Sequence, residues 1–207
     1  MSYPRVVRNL NLKPTGQSRT LMPSPVGICG YKGAGKTTAA LALRAKDYRS
    51  VPFTLPLKRM LLAFGLSEEQ INGRLKESPT TLLCGKTPRW AMQSLGVEWG
   101  HKLIHEDIWL AAWEAEVERS NDEGDDPVVV DDLRFHNEAR RIIDLGGIII
   151  YISREGCGPS DHSTETEAAR LYRDFVIVND QDLEYIDACI GGILECCTRT
   201  PNNRPGL

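Results

Sequence analysis

The stretch that decides the fold lies between residues 26 and 37 and reads Val26-Gly27-Ile28-Cys29-Gly30-Tyr31-Lys32-Gly33-Ala34-Gly35-Lys36-Thr37. Its first four residues predict a buried strand, and the Ala- and Leu-rich residues 36–46 predict a helix. Between them, residues 30–37 fit the spacing G-x-x-x-x-G-K-[ST]. The glycines allow the positive φ angles that turn successive backbone N–H groups toward a chain of phosphates. The sequence therefore predicts a phosphate-binding loop between a strand and a helix.

Two side chains of this loop predict contacts with a nucleoside triphosphate and its metal ion. Lys36 is expected to reach the β- and γ-phosphates, and the hydroxyl of Thr37 is expected to bind Mg²⁺. The positive N-terminal end of the following helix attracts phosphate as well. A nucleoside triphosphate with Mg²⁺ is therefore the predicted ligand. The loop residues predicted to bind it are Gly30, Lys32, Gly33, Ala34, Gly35, Lys36, Thr37 and Thr38.

Short apolar runs and helical patterns alternate along the rest of the chain. Further strands are predicted at residues 50–55, 128–130, 148–152 and 175–178, and helices at 138–144, 165–172 and 183–196. Continuous apolar runs are typical of strands covered on both faces, as in parallel sheets. The alternation therefore predicts an α/β fold with a five-stranded parallel sheet flanked by helices. Residues 57–121 hold helical patterns and no convincing strand, which predicts a helical insertion beside the sheet.

The two ends of the chain are predicted to be flexible. Residues 1–24 contain four basic residues, no acidic residue and three prolines. This composition predicts a basic arm that lies on the surface or grips a partner subunit or a nucleic acid. Residues 198–207 predict a flexible tail, so the folded domain is expected to span residues 25–197.

The composition of the whole 207-residue chain is that of a globular protein, with 41% hydrophobic and 26% charged residues. A net charge of −3 excludes a surface that is basic throughout, so a nucleic-acid partner is not expected. The six cysteines form no C-x-x-C pair and predict reduced thiols, not a zinc site. The sequence also offers no secretory signal and no apolar run of the ~20 residues that a membrane helix needs. These features predict a cytoplasmic protein, located in the host cytoplasm if the source is viral.

A phosphate-binding loop of this kind needs a carboxylate at the end of a neighbouring strand. Asp131 and Asp132 directly follow the apolar run 128–130, and either could serve. We assign the predicted metal site to Thr37 and Asp132. These residues indicate a triphosphate with Mg²⁺, but they do not identify the group that accepts the phosphoryl.

Several sequence blocks resemble, in the same order, those of the phage-type deoxynucleoside monophosphate kinases, a branch of the P-loop nucleoside monophosphate kinases. The resemblance spans roughly residues 26–180. It implies a P-loop nucleoside-kinase-like fold that transfers the γ-phosphoryl group of ATP to a deoxynucleoside monophosphate (dNMP), which supplies nucleotides for DNA synthesis. It also implies small-molecule substrates and a homodimer. The blocks are GYKGAGKTTAA (30–40), PLKRML (56–61), TPRWAMQSLGVEWG (87–100), DLRFHNEA (132–139) and DHSTE (161–165).

The same resemblance implies site residues. Fixed cations must offset the repulsion between two polyanions, and the implied catalytic residues are Lys36, Asp132, Arg134 and Arg154. Residues 153–165 correspond to a lid, and Asn179 to a residue that meets adenine. Arg89 suits the acceptor phosphate, Gln93 on the same helical face suits a base edge, and Glu138 is expected to pair with the guanidinium of Arg134. The implied dNMP-binding residues are Lys58, Arg89, Gln93, Glu98, Asp107, Trp109 (as the stacking ring), Arg134, Glu138, His162 and Glu165.

Two other functions stay open at the level of the sequence. One is a P-loop kinase of a different small-molecule acceptor. The other is a DNA-associated P-loop ATPase that uses the basic arm. A degenerate loop that only binds nucleotide is disfavoured, because Lys36, Thr37 and Asp132 are all present.

Overall fold

The computed structural model describes residues 6–8, 22–121, 126–158, 171–181 and 183–199. The chain divides into two compact units, a sheet unit of Met1–Pro52 with Asp125–Leu207 and a helical unit of Phe53–Gly124. The predicted helical insertion, residues 57–121, lies inside the helical unit. Among the helices described, none combines the length and the apolar character needed to cross a membrane.

The sheet unit contains a six-stranded sheet with the order β1-β6-β5-β2-β4-β3. Strands β2 to β6 are parallel to their neighbours, and β1 pairs antiparallel with β6. The predicted five-stranded parallel sheet is therefore confirmed, and an antiparallel edge strand extends it. The strands are β1 Val6–Arg8, β2 Val26–Cys29, β3 Arg49–Ser50, β4 Val128–Val130, β5 Ile148–Ser153 and β6 Phe175–Val178.

The remaining elements of the described chain are helices, and they are divided between the two units. The sheet unit contains α1 Lys36–Arg44, α6 His136–Asp144 and α7 Leu183–Arg199. The helical unit contains α2 Leu55–Ala63, α3 Glu68–Ile71, the 3₁₀ helices Arg74–Glu77 and Thr81–Leu83, α4 Pro88–Gln93, the π-helix Ser94–Ile104 and α5 Ile108–Asn121. Of the helix predicted at 165–172, residues 165–170 lie outside the described residues, and 171–172 are not helical.

Three residues of the predicted flexible arm, residues 1–24, form strand β1. Val6 pairs with Ile177, and Arg8 pairs with Phe175. The valines of β1 suit a strand, but a pairing partner some 170 residues away in sequence leaves no local signal. The other arm residues 1–5 and 9–21, and the tail residues 200–207, lie outside the described part of the chain.

The strand predicted at residues 50–55 is also corrected. It is only the two-residue strand β3, and Leu55 already begins α2. Pro52 cannot donate to a strand ladder. Pro56 stands in the first turn of α2, where its missing N–H leaves no hydrogen bond unmade. The two prolines therefore explain why the strand stops and a helix starts.

Burial of the central strands explains their continuous apolar sequences. All residues of β2 and β4 are buried, as are the first five of β5. Helices α1 and α7 cover one face, where Leu43 and Ile190 join Ile28 and Ile150 in a single core. Because β2, β4 and β5 are parallel, their carboxyl ends lie at one edge of the sheet. Open α/β sheets bind their ligands at that edge.

The helical unit has a separate apolar core. Leu57, Leu61 and Ile71 pack with Trp109 in one cluster. The ring of the fully buried Trp113 lies 4.7 Å from that of Phe53, measured between centroids. Side chains from several of the unit's short helices therefore pack together in this core.

Candidate active site

The predicted phosphate-binding loop leads from β2 into α1 at the carboxyl edge of the sheet. Gly30 and Gly35 have φ angles of 142° and 107°, which only glycine adopts readily. A Cβ atom on Gly30 would lie 2.3 Å from the carbonyl oxygen of Ile152, and one on Gly35 would lie 2.5 Å from Nδ2 of Asn179. Both positions therefore require glycine for conformation and for space.

Lys36 holds its ammonium group against this loop. Its Nζ donates hydrogen bonds to the carbonyl oxygens of Gly30 at 2.8 Å and Tyr31 at 2.9 Å. The ammonium group that is predicted to bind the phosphates therefore lies beside the loop backbone that is predicted to bind them as well. Among the other predicted loop residues, Lys32, Gly33 and Thr37 are exposed, Thr38 is half-buried and Ala34 is buried.

Asn179, which follows β6, supports the loop from two strands away. Its Nδ2 donates to the carbonyl oxygen of Ala34 at 2.7 Å, and its backbone N–H donates to that of Ser153 at 2.7 Å. The residue is only 6% exposed. The sequence predicted a contact with adenine, whereas the structure gives the side-chain amide to the loop's own backbone. This role depends on the strand order and has no local sequence signal.

Replacing Asn179 with alanine tests this support. The carbonyl of Ala34 would lose its partner, and an unpaired buried acceptor costs about 1–3 kcal/mol. We expect the KM for ATP to rise about tenfold, because the loop loses one of its anchors. Steady-state kinetics with ATP varied measure this effect, and the KM for the acceptor is the internal control. A rise of equal size in both KM values would contradict the prediction.

Tyr31 of the loop contacts Tyr151 of β5, the strand adjacent to β2. The rings of Tyr31 and Tyr151 meet edge to face with centroids 6.5 Å apart, and the guanidinium of Arg173 lies 4.6 Å from the Tyr151 ring.

Burial raises the pKa of Cys29 to about 12, although the positive charges of Arg173 and Lys36 oppose the change. Cys29 is therefore a protonated core thiol and not a nucleophile.

Strand β4 brings two carboxylates to the edge that holds the loop. Val129 pairs with Val26 and Val130 pairs with Gly27, so β4 ends beside β2, two residues before β2 itself ends at Cys29. Asp131 and Asp132 follow β4, and both are half-buried. The register thus agrees with the requirement for a carboxylate beside the phosphate-binding loop. It does not distinguish Asp131 from Asp132 as that carboxylate.

These residues fit a magnesium ion. Among the described residues, no three or more His, Cys, Asp or Glu side chains are grouped closely enough to enclose a metal. Mg²⁺ needs no such cage, because it keeps several waters and shares its remaining ligands with phosphate oxygens. One hydroxyl from Thr37 and one carboxylate from Asp132 match the donor set that phosphoryl-transfer sites use.

Glu138 holds the segment that leads from β4 into α6. Its Oε2 accepts hydrogen bonds from the backbone N–H groups of Arg134 at 2.8 Å and Phe135 at 3.0 Å. The sequence predicted an ion pair with the guanidinium of Arg134, but these bonds go to the backbone. Glu138 is the third residue of α6, where a carboxylate reaches back to the N-cap N–H. The side chain of Arg134 is exposed.

The pKa of Glu138 is perturbed by its surroundings. Burial, and after it the charge of Asp132, raise the pKa of Glu138 to about 8. The two backbone hydrogen bonds and the positive charge of Arg134 act in the opposite direction. A carboxyl group beside the predicted metal residue therefore stays protonated well above its ordinary range.

This shift predicts that Glu138 makes stability depend on pH. Because the folded-state pKa of about 8 exceeds the ordinary value of 4.5, the stabilisation is present below pH 4.5 and is lost as the pH rises through 8. The variant Glu138→Gln keeps an acceptor oxygen but does not titrate. We expect the Tm of the wild type, relative to the variant, to fall by about 5 °C or more between pH 5 and pH 8.5. Thermal unfolding in EDTA measures it, and a difference that does not change with pH would contradict it.

In the helical unit, α4 carries a cation, an aromatic ring and an amide at exposed positions. The Oγ1 of Thr87 caps the helix by accepting the N–H of Trp90 at 3.1 Å. Arg89, Trp90 and Gln93 are exposed, and Trp90 is 51% exposed with the Nζ of Lys86 5.3 Å from its ring centroid. A guanidinium, an indole ring and an amide therefore share one accessible surface. The sequence singled out Arg89 and Gln93, but it did not distinguish Trp90 from the other tryptophans.

Trp109, predicted to stack on the base, lies in the core of the helical unit. It is 8% exposed, and its Nε1 donates to the carbonyl oxygen of Gly96 at 2.8 Å. Its ring centroid lies 5.9 Å from that of Trp99. The structure therefore gives this side chain a packing role. Sequence alone could not reveal that role, because four tryptophans occur in the same insertion.

The other predicted acceptor residues of the helical unit lie apart from this core. Lys58 is half-buried in α2. Glu98 accepts from Lys102 at 2.9 Å, one turn later in the π-helix. The backbone N–H of Asp107 donates to Nδ1 of His105 at 3.1 Å. In the sheet unit, Arg154 follows β5 and is exposed. His162, Glu165 and residues 159–165 of the predicted lid lie outside the described residues.

Two solved structures are similar to the chain in overall arrangement. TT1252 from Thermus thermophilus is 16% identical with a TM-score of 0.45, and the match covers 84% of this chain and 98% of that one. A dephospho-CoA kinase from Campylobacter jejuni is 17% identical with a TM-score of 0.41, and the match covers 83% and 96%. Similarity at this level does not identify the substrate of this chain.

Sequence relatives are more informative. Residues 85–190 match the family described as deoxynucleotide monophosphate kinase. A putative deoxynucleotide monophosphate kinase of Acanthamoeba polyphaga mimivirus is 34% identical over 175 residues, which cover 77% of this chain and 90% of the relative. The deoxynucleoside-5′-monophosphate kinase of Escherichia phage T5 is 29% identical over 106 residues, which cover 46% and 40%. With half of the chain matched to the family and a relative aligned over nine-tenths of its length, this chain belongs to the deoxynucleotide monophosphate kinase family.

Proposed function

We propose that the sheet unit of this protein binds ATP with Mg²⁺ and that the helical unit binds the dNMP that accepts the phosphoryl group. As a member of its family the protein is a deoxynucleoside monophosphate kinase. Family membership does not favour a kinase of another acceptor or a DNA-associated ATPase. A homodimer and a cytoplasmic location belong to the proposal as well.

The observation that carries the donor half of the proposal is the arrangement at the edge of the sheet. The loop of residues 30–37 starts directly after β2 and its lysine contacts the loop carbonyls. The carboxylates of Asp131 and Asp132 follow the neighbouring parallel strand. A loop rich in N–H groups, an ammonium and a carboxylate together match the needs of a triphosphate with a divalent ion.

The reaction needs positioning and charge more than proton transfer. One oxygen of the acceptor phosphate forms a bond to the γ-phosphorus of ATP while the bond from that phosphorus to the β–γ bridging oxygen breaks. The products are a deoxynucleoside diphosphate and ADP. The acceptor phosphate carries about −1.5 to −2 charges near pH 7, so no general base is required to activate it. The protein must hold both anions in line and offset their repulsion.

In the sheet unit, different residues bind the phosphates, neutralise charge and support the loop. Lys36 binds the β- and γ-phosphates, and the exposed guanidinium groups of Arg134 and Arg154 neutralise charge on the transferring group. Asn179 keeps the loop in place by its bond to Ala34. Thr37 and Asp132 would hold Mg²⁺, which would supply additional charge neutralisation.

The residues of the helical unit recognise the acceptor. Arg89 binds the 5′-phosphate with its planar guanidinium, which matches phosphate oxygens in a bidentate manner. Gln93, one helical turn later, offers a donor and an acceptor to the base edge. The further acceptor contacts that the proposal assigns to the helical unit are Lys58, Glu98 and Asp107.

The experiment that tests this function measures ADP formation across a panel of acceptors. The panel contains all deoxy- and ribonucleoside monophosphates, common and modified, together with non-nucleotide alcohols, each with and without double-stranded DNA. We expect ADP to form with one or more dNMPs and DNA to have no effect. Turnover that DNA stimulates and that no monophosphate supports would overturn the proposal, and turnover with an alcohol alone would favour a different small-molecule kinase.

A further inference from the structure

The proposed phosphate-binding arginine already has an anionic partner. The Nε of Arg89 donates to Oε1 of Glu77, with the two side chains 45% and 64% exposed. Glu77 is the last residue of the 3₁₀ helix Arg74–Glu77, which packs against α4. A carboxylate and a phosphate offer a guanidinium the same kind of charged oxygen acceptor. The carboxylate of Glu77 therefore binds the same guanidinium that is proposed to bind the acceptor phosphate.

Local structure fixes the backbone on both sides of this pair. Pro88 stiffens the start of α4 directly before Arg89, and the hydroxyl of Thr87 caps the same turn. On the other side, the N–H of Ser78 donates to the carbonyl of Leu75 at 3.1 Å and closes the turn that carries Glu77. Because both backbones are held, the ion pair can exchange partners through side-chain motion alone.

Neighbouring charges are engaged elsewhere. The Nε of Arg74 lies 3.2 Å from Oε1 of Glu69, and Lys86 lies over the ring of Trp90. Glu77 is thus the acidic side chain that the structure sets against Arg89 within the described residues. An exposed pair of this kind is weak, since such pairs contribute about 0–1 kcal/mol. A ligand with a higher charge than a carboxylate can therefore displace it.

We propose that Glu77 is a specificity-determining residue, whose carboxylate competes with the acceptor for Arg89 and yields only to a doubly charged phosphate. This inference rests on the proposed function of Arg89. A monophosphate near pH 7 carries up to two negative charges and three acceptor oxygens, whereas a carboxylate carries one charge and two oxygens. Singly charged anions would therefore fail to displace Glu77, and a nucleoside 5′-monophosphate would succeed.

The test compares binding to the full-length wild type and to Glu77→Gln. The probes are the dNMP that gives the highest turnover in the acceptor panel, and sodium acetate as a singly charged competitor. Titration calorimetry should show that the variant binds the dNMP about two- to fivefold more tightly, the effect expected on losing an exposed ion pair. Acetate should weaken dNMP binding to the variant more than to the wild type. The KM for ATP should not change.

Two further variants keep the test decisive. Glu69→Gln breaks another exposed pair, the one with Arg74 in the same unit, and should leave dNMP affinity unchanged. In an Arg89→Ala background, Glu77→Gln and Glu77→Ala should have no effect on affinity. The inference is overturned if Glu77→Gln and Glu77→Ala both bind the dNMP as weakly as the wild type does or more weakly. It is also overturned if these substitutions tighten dNMP binding in the Arg89→Ala background. If Arg89→Ala itself leaves dNMP binding unchanged, the proposed function of Arg89 fails instead.

Discussion

Replacing Lys36 with alanine will lower the rate of phosphoryl transfer by about a thousandfold or more, because it removes the cation assigned to the β- and γ-phosphates. The Nζ of Lys36 contacts the carbonyls of Gly30 and Tyr31, so the charge lies against the loop itself. Removal of a preorganised charge affects the transition state, in which negative charge is redistributed on the transferring group, more than it affects the ground state. The measurement is kcat for ADP formation with both substrates saturating.

A second lysine of the same unit provides the control. The Nζ of Lys46 pairs with Asp187 on α7, and Lys46 follows the end of α1 opposite to the phosphate-binding loop. We expect Lys46→Ala to retain kcat within about twofold, since partly exposed ion pairs contribute little. Circular dichroism and Tm establish that both variants fold. A folded Lys36→Ala enzyme with a near wild-type kcat would remove the loop from its assigned role.

Replacing Arg89 with alanine will raise the KM for the dNMP by about 10- to 100-fold and will change the KM for ATP by much less. The estimate follows from the about 1.5–3 kcal/mol that a hydrogen bond to a charged group contributes. The effect should be confined to the acceptor, because Arg89 lies in the helical unit and the loop of residues 30–37 lies in the sheet unit. Initial rates with each substrate varied in turn give both KM values.

The matched control for this variant is Arg74→Ala. Arg74 also lies in the helical unit, is also exposed and also pairs with a glutamate, Glu69. It should leave both KM values within about twofold of the wild type. If Arg89→Ala raises the KM for ATP and spares that for the dNMP, Arg89 belongs to the donor side. If neither KM changes, the exposed face of α4 is not the acceptor site.

The parts of the fold that could be predicted are those with contiguous signals. The strands β2, β4 and β6 begin and end where they were predicted, because each is an unbroken apolar run bounded by proline, glycine or polar residues. The phosphate-binding loop could be predicted for the same reason, since eight consecutive residues carry its glycines, its lysine and its hydroxyl. Local chemistry was sufficient in both cases.

The predictions that differ from the structure depended either on partners distant in sequence or on local backbone effects that residue type alone does not reveal. Strand β1 is paired with residues 175–177, and Pro52 shortened β3 by an effect that apolar content does not reveal. Trp109 was chosen among four tryptophans by resemblance, but its exposure depends on the packing of α5 against the π-helix. Glu138 was expected to face a guanidinium, yet its place in the first turn of α6 gives it the backbone N–H groups.

The sequence by itself determined which chemical groups this protein carries in contiguous runs: a glycine-rich loop suited to a triphosphate, carboxylates suited to a metal ion, and the residue blocks typical of dNMP kinases. That is possible because these features are runs of neighbouring residues whose backbone conformation and charge act over a few ångströms. Only the tertiary structure decided which side chains support or oppose that chemistry. The bond from Asn179 to Ala34 joins residues far apart in sequence, and the pair between Glu77 and Arg89 joins two separate helices. Such contacts arise from strand order and helix packing, which bring together groups that no spacing in the chain connects.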